Sequence, residues 1–159
     1  MISITPKLKE RLVNGLKNHI PRMMEAEALE TNASDILKRA YKALVEIFGF
    51  KKQDIVEETS AKKNLYVLKI MVNEKIQIYI ECKDAGTDLN EIEFQNTIPT
   101  GTKWCILTNG SHFKIHKMIK AKPLNIELVH EFDIQNIYYK QNKQLLVLYY
   151  LCTEAFPKK

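Results

Sequence analysis

The hydrophobic period of this chain changes between residues 49 and 55, and that change separates two N-terminal helices from the first strands. Before it, apolar residues recur at every third or fourth position, as they do on one face of an α-helix. After it, β-branched and aromatic residues alternate with polar ones, which is typical of strands. A chain with amphipathic helices followed by strands is predicted to fold as an α/β domain whose helices pack on a sheet.

Two helices are predicted before the change. Thr5 suits the N-cap of the first helix, and the apolar stripe that follows it is interrupted at Pro21. Helical patterning then continues over residues 22–30. The second helix is predicted over residues 34–48, with Gly49 placed to end it. The stripe of the first helix consists of Leu8, Leu12, Leu16 and Ile20.

The strands begin with a short one over residues 55–58 and a hairpin formed by residues 64–72 and 75–83. If the hairpin loop has two residues, the register pairs Asn64 with Lys83 and Tyr66 with Glu81. Asn64, Glu81 and Lys83 would then lie on one face of the sheet. A loop of another length would change this register.

The rest of the chain is predicted to complete a mixed sheet flanked by helices. No internal repeat or linker divides it, so we predict a single domain over residues 1–159. Its N-terminal helices occupy about residues 5–48, its sheet about residues 55–130 and its C-terminal helices about residues 133–156. The later elements are a helix over 89–97, strands over 103–108, 113–116 and 126–129, and helical segments over 133–139 and 143–156.

Composition limits the classes of protein to which the chain can belong. Hydrophobic residues make up 45% of it and charged residues 27%, and no apolar run approaches the roughly 18 residues of a membrane span. The N-terminus lacks an apolar signal core, so we predict a cytoplasmic protein without membrane contacts. Cys82, Cys105 and Cys152 are far apart in apolar runs and are predicted to be reduced core residues. A net charge of +5 suits a polyanionic partner such as DNA, and equally a solvated lysine surface.

The apolar strand that ends in Glu81-Cys82-Lys83 is the candidate for chemistry. Hydrolysis of a phosphodiester needs a cation, a deprotonated water and a positive group beside the phosphate. Magnesium binds oxygen ligands and keeps several waters, so the Glu81 carboxylate and the Cys82 carbonyl could hold it while Lys83 acts on the water. The alternative is an ordinary surface ion pair between Glu81 and Lys83.

A family resemblance rests on the run IECKDAGTDL over residues 80–89, Gln95, the run WCILTNG over residues 104–110, and Phe113. Together they resemble the N-terminal nuclease domain of type I restriction enzyme R subunits, which belongs to the PD-(D/E)XK nuclease superfamily. The likeness extends from about Asp35 to the C-terminal helix. It implies a restriction-endonuclease-like fold and hydrolysis of DNA with Mg²⁺ or Mn²⁺.

The resemblance also implies roles for individual residues. Glu81 and Lys83 match the second acid and the lysine of the family motif. The first acid, an aspartate in the family, falls on Asn64, which brings an amide oxygen but no charge. Gln95 matches the glutamine that the family often places four residues before a tyrosine, although the tyrosine position is Pro99 here.

An acid from a preceding helix often completes such sites, and Glu30 or Asp35 could serve. The implied metal ligands are therefore Glu81, Cys82 and Asn64 with one of these two acids. One hypothesis is a DNA-binding, magnesium-dependent endonuclease of a restriction-modification-like system, acting with a helicase or translocase or with other subunits. The alternative is a catalytically decayed nuclease fold that binds nucleic acid or a partner subunit.

Overall fold

A computed structural model describes residues 4–95, 97–120, 122–137 and 142–156. It contains one six-stranded mixed sheet and three α-helices, which confirms the predicted α/β class with a sheet flanked by helices. In chain order the elements are α1 (Pro6–Ala28), α2 (Ala33–Glu46), β1 (Ile55–Ser60), β2 (Leu65–Val72), β3 (Lys75–Cys82), β4 (Trp104–Thr108), β5 (His112–Lys120), β6 (Asn125–Asp133) and α3 (Asn142–Tyr149).

The six strands lie side by side in the order in which they occur along the chain. All neighbours are antiparallel except β3 and β4, which are parallel, with Ile78 opposite Trp104 and Cys82 opposite Thr108. A parallel pair cannot be joined by a tight turn, so the long segment 83–103 connects β3 to β4. This connection carries the chain over the end of β3 that holds Glu81.

The helix predicted over residues 89–97 is wrong. A 3₁₀ turn forms at Leu89–Glu91, and the described residues from 92 to 95 are extended or irregular. The reason is tertiary, because the backbone N–H of Gln95 donates to the buried Glu81 carboxylate instead of to a helical carbonyl.

The two N-terminal helices form nearly as predicted, with two differences. Thr5 caps α1 by accepting from the backbone N–H of Leu8, but Pro21 does not interrupt the helix. The apolar face continues past the proline to the buried Met23, so packing on the sheet offsets the one backbone hydrogen bond that proline removes. The N-cap of α2 is Asn32, two residues before Ser34, the N-cap that the sequence predicts.

The β2–β3 hairpin turns at Asn73-Glu74 as predicted, and Val72 pairs with Lys75. The predicted register further along the hairpin is wrong. A β-bulge leaves Gln77 without a partner in β2, so Val67 rather than Tyr66 lies opposite Glu81. Asn64 also lies outside the strand, in the turn before β2, with a φ of 51°.

Side chains on the two faces of the sheet form two cores of different size. The larger core lies under the helices and includes Ile78, Ile80 and Cys82 of β3. The smaller core lies on the opposite face, where Val67, Tyr79, Ile98 and Cys105 pack together. Because side chains alternate along a strand, Glu81 and Lys83 belong to the face of the smaller core.

The three cysteines are free and buried, as predicted. Burial raises the pKa of the Cys105 and Cys152 thiols to about 12, so both stay protonated at neutral pH. At the C-terminus, a 3₁₀ turn at Ile134–Asn136 and α3 replace the longer helical segments predicted there, and residues 138–141 of those predictions lie outside the described residues. Among the described residues, no helix is both long and apolar enough to cross a membrane.

Candidate functional site

Glu81 and Lys83 lie on the same face of the sheet at the end of β3, as predicted. The Lys83 ammonium is 3.0 Å from Glu81 Oε2. The backbone N–H of Lys83 donates to the carbonyl of Thr108 at 2.8 Å, which extends the parallel pairing with β4 by one residue. The position of this ion pair is therefore fixed by the central, parallel part of the sheet.

The Glu81 carboxylate is buried, with 1% of the residue exposed, and the protein supplies several donors to it. The Tyr79 hydroxyl donates to Oε1 at 3.1 Å, and the Gln95 backbone N–H donates to Oε2 at 3.0 Å. Lys83 supplies the opposite charge. Both oxygens of this buried carboxylate therefore have hydrogen-bond donors within the protein.

Tyr79 was not predicted as part of the site, although it lies two residues before Glu81 and shares its face. Burial and the neighbouring Glu81 carboxylate raise the pKa of Tyr79. The phenol therefore stays protonated at neutral pH and keeps donating to the carboxylate. The alternation of β3 was the signal that could have identified this residue.

Gln95 contacts both residues of the motif. Its side-chain Oε1 accepts from the Lys83 ammonium at 2.9 Å, while its backbone N–H binds Glu81. The structure thus brings the predicted Gln95 to the site, on an extended segment rather than on a helix. Its two contacts hold the covering loop against the end of β3.

Asn64 lies at the site, as predicted, but on a different structural element. It lines a small cavity of about 150 Å³ together with Lys83 and Gln95. The side chain is exposed, and it approaches from the turn before β2 instead of from the strand. Asn64, Lys83 and Gln95 therefore meet at one cavity, with the Glu81 carboxylate behind Lys83 and Gln95.

The helix acids proposed as further ligands lie elsewhere. Glu30 is exposed in the turn after α1, and Asp35 lines a different cavity, between α1 and α2. The acid that does line the site cavity is Asp84, which sequence reasoning did not select. Its Oδ1 accepts from the backbone N–H of Ala33 at 2.7 Å and so fastens the start of α2 to the end of β3.

In this arrangement the site offers a magnesium ion few free carboxylate oxygens. Both oxygens of Glu81 already accept hydrogen bonds, and the Asp84 oxygen that binds Ala33 has a structural partner. Cys82, whose backbone carbonyl is the predicted ligand, lines the cavity. Burial raises the pKa of its thiol, so the thiol itself stays protonated. Within the part of the chain that the structure describes, no three histidine, cysteine or acidic side chains are grouped so that they could hold a metal.

Comparisons with family models, with curated proteins and with solved structures found no match. The assignment to a nuclease family therefore stays a hypothesis that depends on the residues of this site and on the runs around them.

Two buried histidines make stability depend on pH. Burial lowers the pKa of His19, which is 2% exposed, and of His116, which is 8% exposed. Because the folded-state pKa lies below the unfolded value of about 6.5, the unfolded chain binds more protons when the pH falls below that value. The stability that depends on these two histidines is thus fully present above about pH 6.5. It is lost as the pH falls towards their pKa values in the folded state.

We therefore expect the free energy of unfolding to decrease between pH 7.5 and pH 5.5, by at most about 1.4 kcal/mol per pH unit for each histidine. Urea unfolding at several pH values measures this decrease. The variant His116→Gln should show a shallower dependence. A protein that is equally stable or more stable at pH 5.5 would contradict the prediction.

Proposed function

We propose that this protein is a DNA-binding domain of a restriction-modification-like system, built around a PD-(D/E)XK-type site that has lost metal-dependent catalysis. The observation that supports the loss is the state of Glu81, whose two carboxylate oxygens are engaged by Tyr79, Gln95 and Lys83. The second support is the amide of Asn64 at the position of the first family acid. Neither residue offers magnesium an open, charged ligand.

The support for DNA as the partner is the charge around the site. Lys62 and Lys63 directly precede Asn64 in the turn before β2, and both are exposed. Lysines on an exposed turn can contact successive phosphates without base specificity. The Glu81–Lys83 pair below them is mutually neutralised, so it contributes local rigidity rather than attraction for DNA.

The resemblance further suggests how such a domain would act. In a restriction-modification-like system, its partners would be a helicase or translocase motor or other subunits that recognise the target. A domain of this kind would help to hold the DNA backbone while another subunit supplies sequence specificity.

A magnesium-dependent endonuclease is the second candidate function. The observation in its favour is that Asn64, Lys83 and Gln95, all implied by the resemblance, line one cavity. For this function the carboxylate of Glu81 would have to exchange its protein donors for a metal ion.

Incubating the protein with supercoiled plasmid and Mg²⁺ or Mn²⁺ separates the two candidates. We expect duplex binding, measured by fluorescence anisotropy, without nicking or cutting. We also expect calorimetry to detect no Mg²⁺ binding to the native protein and measurable binding to Asn64→Asp, because the substitution adds a charged oxygen ligand.

Lys83→Ala is the control for contaminating nuclease. Cleavage by the native protein that Lys83→Ala abolishes would establish the endonuclease and refute the loss of catalysis. Cleavage that survives in Lys83→Ala would arise outside this site. A native protein that binds no duplex at low salt would refute the proposed DNA-binding function.

A further inference from the structure

A second cavity, of about 390 Å³, lies between the C-terminal half of α1 and the first half of α2. It shares no lining residue with the cavity beside Lys83. Four cationic side chains and one acidic side chain line it, so its net charge is strongly positive. The cations are Arg22, Lys38, Arg39 and Lys42, and the acid is Asp35.

The four cations are not paired within the described part of the chain. The structure gives none of them a hydrogen bond or an ion pair within 4.0 Å with another described residue. Asp35 precedes Lys38 and Arg39 by three and four positions on α2, which is the spacing of a helical ion pair, yet no such pair forms. The four positive charges therefore share the cavity with one acidic side chain, Asp35, without forming a direct ion pair.

Arg39 distinguishes this cavity from an ordinary solvated lysine surface. Its Nε is shielded from solvent and has no hydrogen-bond acceptor among the described residues. A shielded donor without an acceptor is unfavourable unless an oxygen is supplied from outside the fold. Guanidinium groups donate in a planar fork that matches the oxygens of a phosphate.

The floor of the cavity is formed by a histidine that contacts an acidic side chain. His19 is buried there, and its Nε2 lies 2.7 Å from Oε2 of Glu46. Burial lowers the pKa of His19 and outweighs the Glu46 carboxylate, which raises it, while the positive charges of Arg22 and Lys42 lower it further. The histidine is therefore neutral at pH 7. The field at the cavity comes from the four permanent cations and Asp35, with Glu46 on the far side of His19.

We propose that this cavity between α1 and α2 is a phosphate-binding site, with Arg39 and Lys42 as its principal ligands. The phosphate could belong to the backbone of DNA or to a free polyphosphate, since both present the same oxygens. This inference goes beyond the proposed function, because it concerns a separate cavity and does not depend on the Glu81 site.

The position of the cavity relates it to the candidate site. Thr31, in the turn between the two helices, lies on the wall of this cavity, and Ala33, the first residue of α2, lies on the wall of the other one. Two hydrogen bonds fasten that turn to the end of β3, from Ala85 N–H to the Thr31 carbonyl and from Ala33 N–H to Asp84. Both cavities thus border one rigid turn, so a single nucleic-acid backbone could contact both.

The test uses the full chain with two probes. Binding of inorganic pyrophosphate is measured by calorimetry, and binding of a labelled DNA duplex is measured by fluorescence anisotropy. Arg39→Ala/Lys42→Ala is compared with Lys9→Ala/Lys75→Ala, which removes the same charge from exposed positions. Lys9 lies about 20 Å from Arg22 along α1. Lys38→Ala/Lys42→Ala, at two exposed helix positions, provides a second cavity variant whose fold should be intact.

We expect both cavity variants to bind pyrophosphate at least tenfold more weakly than the native protein and than the control. If DNA supplies the phosphate, duplex affinity should fall as well, and the slope of log affinity against log salt should become shallower by about 0.9 for each DNA phosphate that the variant no longer neutralises. Unchanged duplex binding together with weakened pyrophosphate binding would assign the cavity to free polyphosphate.

Two results would overturn the phosphate site. One is a native protein that binds no pyrophosphate and whose duplex binding is the same in the cavity and control variants. The other is an equal decrease of binding in the cavity and control variants, which would indicate net charge alone. Failure of the native protein to bind duplex, with specific pyrophosphate binding retained, would instead refute only the DNA-binding function.

Discussion

Replacing Glu81 with alanine should lower the free energy of unfolding by about 3–5 kcal/mol, the range observed when one partner of a buried ion pair is removed. The substitution leaves Lys83, whose side chain is 12% exposed, without its counter-charge. It also deprives the Tyr79 hydroxyl and the Gln95 backbone N–H of their acceptor. Unsatisfied buried donors add to the loss of the charge pair.

Glu58→Ala is the matched control for this experiment. Glu58 forms an ion pair with Lys69 at 2.6 Å on the same sheet, but its side chain is 47% exposed. Solvent screens this pair, so its loss should cost less than about 1 kcal/mol. Urea unfolding of both variants measures the two losses of stability. Similar losses would contradict the prediction that the hydrogen bonds and ion pair of Glu81 stabilise the fold.

Gly110→Ala should be the second strongly destabilising substitution, at about 2–4 kcal/mol when the costs of backbone strain and of overpacking are combined. Gly110 has a φ of 96°, a conformation that L side chains rarely adopt. A methyl group there would lie 3.0 Å from Met23 Sδ of α1 and 3.1 Å from Ile36 Cδ1 of α2. The turn after β4 thus permits the close approach of both helices.

Gly101→Ala separates the two contributions. Gly101 has a similar φ of 94°, but a methyl group at that position would meet no atom within 4 Å. Its substitution should therefore report backbone strain alone, at about 1–2 kcal/mol. The difference between the two variants in urea unfolding measures helix packing against the turn. If the two substitutions cost the same, Gly110 is required for its conformation only.

The face on which Glu81 and Lys83 lie could be predicted because strand alternation is local. The register could not, because the extra residue at Gln77 leaves no mark in the pattern of apolar residues. A two-residue loop usually determines which residues pair along the whole hairpin. A β-bulge shifts the pairing by one residue at every position beyond it. Asn64 was therefore placed correctly near the site but on the wrong structural element.

The conformation of the segment after β3 also could not be predicted from local sequence. Leu89–Glu91 begins a helix-like turn, and local propensity favoured its continuation. The competing partner for the Gln95 N–H is a carboxylate 14 positions earlier in the chain, which no local pattern reveals. Gln95 was selected through family resemblance, and Tyr79 and Asp84 were missed because that resemblance assigns neither of them a role.

The parallel ladder between β3 and β4 has a consequence for the folding kinetics of the chain. On either side of it, β1 to β3 and β4 to β6 are antiparallel meanders whose contacts are local in sequence. Pairing of β3 with β4 requires the long segment 83–103 to form a closed loop. Such non-local pairing is slow, because the chain loses the entropy of loop closure before the pairing contacts form. The hydrogen bond between Lys83 and Thr108 belongs to that ladder. Both halves of the sheet should therefore form before Glu81, Lys83 and Gln95 come together.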